Sequence, residues 1–212
     1  MVKRCGRKPI TAHVMTSNSF LLTAEDFALF ERYERSVSYS DVSKEDRSLF
    51  DSLRMRLREV ADQAALAYRG HSKLKGFVSK TNPSGRTPKS LWCCIFPEES
   101  ANKSYAMQVA LIVSKKGVEI CLCLGSGEAE VRDATTLQKL QQEFRRIQER
   151  LARVPDNLIS QLLNNSRDKY YLRKQWRLEE TINDFPNFKT WLRYASSTLG
   201  KSASISMYFT PA

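Results

Sequence analysis

Apolar positions follow a helical period in the first third of the chain and crowd into short runs near its middle, so helices and strands are predicted in separate blocks. Thr23-Ala24-Glu25-Asp26 has the form of a helix start, a hydroxyl cap followed by acids in the first turn, and Phe27, Phe30 and Tyr33 follow at helical spacing. Ser43-Lys44-Glu45-Asp46 is a second start. Behind it Leu49, Leu53, Leu57, Val60, Ala64 and Leu66 outline an amphipathic helix running to about Tyr68, with Arg54, Arg56, Arg58 and Glu59 on its polar side. Arg69–Lys89 then breaks the pattern and predicts a long connection. Strands are predicted over Leu91–Phe96, Tyr105–Val113 and Val118–Leu124, the last two joined by a hairpin turn. Both sides of the Val118–Leu124 strand are apolar apart from Glu119, which marks that strand as central in the sheet.

The helical period returns at Asp133, a candidate cap. Leu137, Leu140, Phe144, Ile147, Leu151 and Val154 form a seam of barely three heptads, which predicts a helix packed on the sheet rather than a coiled coil. A short helix over Asn157–Leu163, a basic and aromatic stretch over Ser166–Arg177, a helix over Asp184–Tyr194 and a strand-like end from Ser202 complete the pattern. The fold class expected is α+β: a single domain with a mixed or antiparallel central sheet and helices on one face. Residues 1–22 read as a basic flexible arm, and 23–212 as the domain, expected to be the N-terminal part of a longer protein.

Charge changes this picture more than composition does. Thirty-four Lys and Arg against 23 Asp and Glu give a formal net charge of +11 over 212 residues, a surplus that favours a polyanionic partner. No apolar run approaches the ~20 residues of a membrane span, and no apolar segment follows the basic opening as a secretory signal requires. A cytoplasmic protein with no membrane partner is therefore expected. Cys5, Cys93, Cys94, Cys121 and Cys123 are odd in number and lack zinc-ribbon spacing, so they read as small buried hydrophobes in a reducing compartment.

Enzyme templates find little support. The chain has no phosphate loop, nucleophile elbow, H-E-x-x-H or zinc-deaminase signature. Glu119 stands alone among the strands, and Glu98-Glu99 belong to a connector. A binding module without a cofactor is the expectation, with catalysis in other domains or subunits.

The stretch Arg69–Lys89 carries six Lys or Arg, three glycines and no acid. Lys73, Lys75, Lys80, Arg86 and Lys89 alternate there with glycine and hydroxyl residues. Glycine lets a backbone N–H approach a phosphate, and the cations supply charge. Tyr68, Phe77 and Trp92 at its edges offer stacking surfaces, and bases interleaved with aromatics are what a nucleic-acid site requires. Further along, Arg173 and Lys174 stand beside Tyr170 and Tyr171 and are candidate phosphate contacts as well.

Gly76-Phe77, the glycine-rich gap, Ser90-Leu91-Trp92-Cys93-Cys94-Ile95-Phe96, the strand led by Tyr105, and Val118–Gly125 together resemble the N-terminal DNA-binding domain of McrB-type modification-dependent (type IV) restriction proteins. The similarity covers about residues 45 to 195. It implies a module of a phage-defence restriction system that recognises methylated or hydroxymethylated cytosine, such as 5-methylcytosine, in double-stranded DNA. Base flipping would deliver the cytosine to a pocket, and a downstream nucleotide-driven motor and a nuclease subunit would receive the signal. Carried over by position, Trp92 belongs to the pocket wall or its support, Phe77 is counted to the same base pocket, Tyr170 or Tyr171 is a stacking face, and Tyr105 with Val109 approaches the vacated duplex space. Two other readings stay open: a protein-interaction adaptor that docks a partner on the 133–154 seam, and a nuclease with an unfamiliar site.

Overall fold

The computed structural model describes residues 22–100, 103, 106–124, 133–155, 157, 170–197 and 202–210. Both early helices begin where the capping residues lie. In α1 (Ala24–Arg32) the Thr23 N–H donates to the Asp26 carboxylate at 2.8 Å. In α2 (Lys44–Ala67) the Ser43 hydroxyl accepts the Asp46 N–H at 3.0 Å. Phe50, Leu53, Leu57 and Ala61 form the buried stripe of α2, whereas Leu66, expected on that stripe, is 78% exposed. The two helices are locked by Arg56, whose guanidinium reaches the buried Asp26 at 2.5 Å.

The connection expected over Arg69–Lys89 is shorter than its composition suggests, because it contains strand β1 (Leu74–Val78). Lys75 and Gly76 hide that strand from any apolar pattern. Gly76 serves a close approach: a Cβ there would lie 2.8 Å from the Asp62 carboxylate and 3.0 Å from Ala61 Cβ on α2. The remaining loop is tied down. Ser79 exchanges backbone and hydroxyl bonds with Trp92 at 2.8 and 3.0 Å, Thr81 donates to Asp51 at 3.3 Å, and the Thr87 N–H donates to Val37 O at 3.0 Å.

β2 (Ser90–Pro97), β3 (Met107–Ser114) and β4 (Gly117–Leu124) follow as antiparallel neighbours, with Gly117 at φ 119° closing the β3–β4 turn. After α3 (Ala134–Ala152) come β5 (Tyr170–Arg173), α4 (Phe188–Ser197) and β6 (Ala203–Phe209). The sheet has six strands in the order β1-β2-β3-β4-β6-β5, antiparallel throughout, and β4 is central as its apolar texture predicts. The last strand of the chain inserts between β4 and β5.

Directly paired residues share a face, so the register assigns the layers. The chain of pairs Cys93↔Leu111↔Ile120↔Met207 and Ile95↔Val109↔Leu122↔Ile205↔Leu172 defines one face. All four helices of the described residues cover it, α1 and α2 over the β1–β3 side and α3 and α4 over the side of Leu124, Leu172 and Ala203. Part of the α3 seam packs within the chain: Phe144 and Leu151 lie in one cluster with Trp191, Leu192 and Ala195, and Gln148 donates to Ala195 O at 3.1 Å. α4 starts at Phe188 rather than Asp184 because Asn187 caps it, accepting the Thr190 N–H at 3.0 Å. The opposite face carries Trp92, Cys94, Phe96, Ala110, Ile112 and Cys121, and receives Trp176 and Leu178 from the segment after β5. The expected helix over Asn157–Leu163 lies outside the described residues except for Asn157, and the arm except for Leu22.

Candidate nucleic-acid interface

On the helix-free face, Phe77 of β1 and Trp92 of β2 lie diagonally across the strand pair. Their half-buried rings are 5.3 Å apart at 39°. Lys103 stands over both, its Nζ 4.7 Å from the Phe77 centroid and 5.3 Å from that of Trp92. One strand position away Lys75 lies over Phe96 at 5.0 Å and donates to the carbonyls of Glu98 at 3.0 Å and Ser100 at 3.3 Å. Each ammonium rests on the negative face of a π system, Lys103 over the half-buried Phe77 and Trp92 and Lys75 over the buried Phe96. Lys103 was not among the residues the sequence singles out. Its signal is that it is the one cation of the connector Pro97–Ser104.

The loop cations divide by their bonding. Lys73, Lys80, Arg86 and Lys89 are exposed. Arg86 is engaged with Ser36, donating to its carbonyl and, at 3.4 Å, to its hydroxyl. Lys80 follows Ser79, the residue bonded to Trp92, and Lys89 precedes β2, whereas Lys73 lies at the other end of β1, where its carbonyl accepts the Glu98 N–H at 2.9 Å.

The four aromatics expected in one pocket do not come together. Phe77 and Trp92 are in contact, but Tyr170 and Tyr171 are on β5, four strand steps from β2, about 19 Å at the usual strand spacing. Adjacent residues of a strand point to opposite faces. Tyr170, paired with Met207, belongs to the helix-bearing face, and Tyr171, paired with Ser206, to the other, where its ring meets Tyr208 edge-on at 5.6 Å. Val109 also belongs to the helix-bearing face, away from Trp92, and is 43% exposed. Tyr105 lies outside the described residues. Lys174 is exposed on the segment after β5, its N–H donating to Asp184 at 2.7 Å.

Arg173 is corrected from a phosphate contact to a core residue. It is 1% exposed and donates to Glu119 at 2.5 Å, to the carbonyls of Arg177 and Glu180 at 2.9 Å each, and to the Ser206 hydroxyl. Glu119, which stands alone in its strand, is likewise far from isolated in space. At 2% exposure its carboxylate also accepts the Trp176 indole N–H at 3.1 Å and the Tyr208 hydroxyl at 2.9 Å. Burial works to lower the Arg173 pKa, but the charge and hydrogen bond of Glu119, with smaller contributions from Tyr208 and Cys121, together hold the guanidinium above its usual value. Burial and then the Glu119 charge push the Tyr208 phenol well above 10. The cluster ties β4, β5, β6 and the 174–180 segment together.

The four cysteines among the described residues, Cys93, Cys94, Cys121 and Cys123, are free thiols. Burial pushes Cys93 up to about 11 and Cys94 up to about 12, and Cys123 is raised by its contact with Cys121, whose sulfur is 2.9 Å away, and by burial. Thiols so raised are poor nucleophiles at neutral pH. Among the described residues no group of three His, Cys, Asp or Glu side chains is placed to hold a metal ion. No helix of the described residues is long and apolar enough to cross a membrane. The chain matches no protein-family model, and no curated protein sequence matches it.

Proposed function

We propose that this chain is a DNA-binding module that recognises a modified cytosine on the helix-free face of its sheet. The observation that carries the reading is the Phe77–Trp92 pair beneath Lys103, with the exposed cations Lys80, Arg86 and Lys89 on the loop that joins the two strands of the pair. The aromatic pair is a stacking surface for one extruded base, which would take the position of the Lys103 ammonium while Lys103 turns to a phosphate. Extrusion costs a few kcal/mol, and stacking returns roughly 1–3 kcal/mol per base. A methyl group contributes about 0.8 kcal/mol by burial, so fit against Trp92 must supply the discrimination. The net charge of +11 supports the backbone contacts that hold the duplex. Within a restriction system the module would be cytoplasmic and would pass the signal to a nucleotide-driven motor and a nuclease subunit, itself performing no chemistry.

Binding of duplexes bearing cytosine, 5-methylcytosine or 5-hydroxymethylcytosine, measured by anisotropy over a range of salt, tests the proposal. A modified duplex should bind more tightly. Neutralising Lys80, Arg86 and Lys89 together should flatten the slope of log K against log salt by about 0.9 for each phosphate that the variant no longer neutralises. Equal affinity for all three duplexes removes the modification reading. An unchanged slope in the triple variant removes this loop from the interface.

A further inference from the structure

On the helix-bearing face the two helical packs stand apart and leave a cleft of about 480 Å³. Met107, Val109 and Leu122 form its floor. The chain just after α2, at Tyr68 and Ser72, makes one wall, and α3 makes the other with Ile147, Arg150 and Val154. No acid lines it among the described residues. Arg150 is its one charged lining residue, exposed at the C-terminal turn of α3, and Tyr68 and Ser72 are the hydroxyl-bearing residues of the lining. The volume is that of a small-molecule site, and apolar walls with a few converging polar groups are the usual character of one.

The geometry points to a second binding site in this cleft, for a monomeric amphiphile with an aliphatic body and a single anionic headgroup. An aliphatic chain of about ten carbons would lie along the Met107–Val109–Leu122 floor. Its carboxylate would meet the Arg150 guanidinium at the rim, where a fixed fork of donors suits a planar anion. A cationic head would meet like charge, and a neutral head would forgo the pairing. This site is on the face opposite Phe77 and Trp92, and it stands or falls independently of the nucleic-acid proposal.

The test is calorimetric titration of the full chain with monomeric octanoate, decanoate and decylamine, and with decanol. Decanoate should bind about 15-fold more tightly than octanoate, at about fourfold per methylene, and more tightly than decanol or decylamine. Arg150→Gln should bring decanoate down to the affinity of decanol while decanol binding persists. Val109→Trp, a substitution at a partly exposed floor position, should abolish both in a protein whose thermal melting shows it folded. The inference is overturned if affinity is independent of chain length or if neither variant changes it. It is also overturned if the protein binds anionic phospholipid vesicles but not monomeric decanoate. Displacement of decanoate by an unmodified DNA duplex would overturn it too, because the cleft would then belong to the nucleic-acid surface.

Discussion

Removing the carboxylate of Glu119 should be among the most damaging single changes in the sheet. Glu119→Gln keeps the shape and, at Oε1, an oxygen that can still accept from Trp176, while the amide nitrogen that replaces Oε2 can donate to the Tyr208 hydroxyl; but it leaves the Arg173 charge, 1% exposed, without its counter-ion. Breaking one partner of a buried pair costs about 3–5 kcal/mol. The backbone carbonyls of Arg177 and Glu180 still accept from the guanidinium, so a loss near the lower end, about 3 kcal/mol, is expected. Arg173→Met should cost a similar amount by leaving the carboxylate with its two neutral donors alone. The double variant removes both charges and retains an acceptor for Trp176 and an amide N–H for the Tyr208 hydroxyl. It should therefore lose at least about 2 kcal/mol less than the sum of the singles. Urea unfolding followed by circular dichroism gives all three values, with an unchanged m-value as the check on a common unfolded state. Single losses below about 1 kcal/mol, or strict additivity, would refute the view that these two charges hold each other in the core.

Two further outcomes follow from packing and titration. Gly76→Ala should destabilise the protein by about 1–3 kcal/mol, read as a lower Tm, because the new methyl meets Asp62 and Ala61 at 2.8 and 3.0 Å and α2 must shift; an unchanged Tm would mean the helix has room to give. Stability should also fall as pH rises above about 9. Cys93 and Cys94 are raised from 9.0 to about 11 and about 12 by burial, so the unfolded chain releases those protons first; their contribution is complete below pH 9 and is lost as pH climbs toward 11–12. Tyr208, raised by burial and by Glu119, adds to the same trend above pH 10. Denaturant melts between pH 7 and 11 should show the decline, and Cys93→Ala with Cys94→Ala should flatten it.

The helices were legible because their signals are local. Thr23, Ser43 and Asp133 each sit at a real N-terminus, and Asp133 accepts the N–H groups of Thr135 and Thr136 at 3.3 and 2.7 Å. The three central strands were legible from their apolar runs. β1 was not, because Gly76 is there to admit α2 and Lys75 lies on an edge strand, so neither gives a strand its usual texture. The site was half legible for the same reason. Phe77 and Trp92 meet because neighbouring strands join them, whereas Tyr170 and Tyr171 are carried away by the insertion of β6 between β4 and β5, a pairing that no local pattern encodes. Glu119 and Arg173 are 54 residues apart in sequence, so each looked like an isolated charge, one a stray acid and the other a DNA contact.

The most direct test of modified-base recognition on the Phe77–Trp92 face uses a duplex with a fluorescent base analogue beside 5-methylcytosine. Extrusion of the modified base unstacks its neighbour, so the probe should brighten as the protein binds, and brighten less beside plain cytosine. Trp92→Ala, checked for folding by thermal melting, should still bind through its cations but lose the difference between the two duplexes. A probe that stays dark while wild-type protein binds the modified duplex tightly, or a Trp92→Ala variant that keeps full discrimination, would contradict base extrusion onto Trp92.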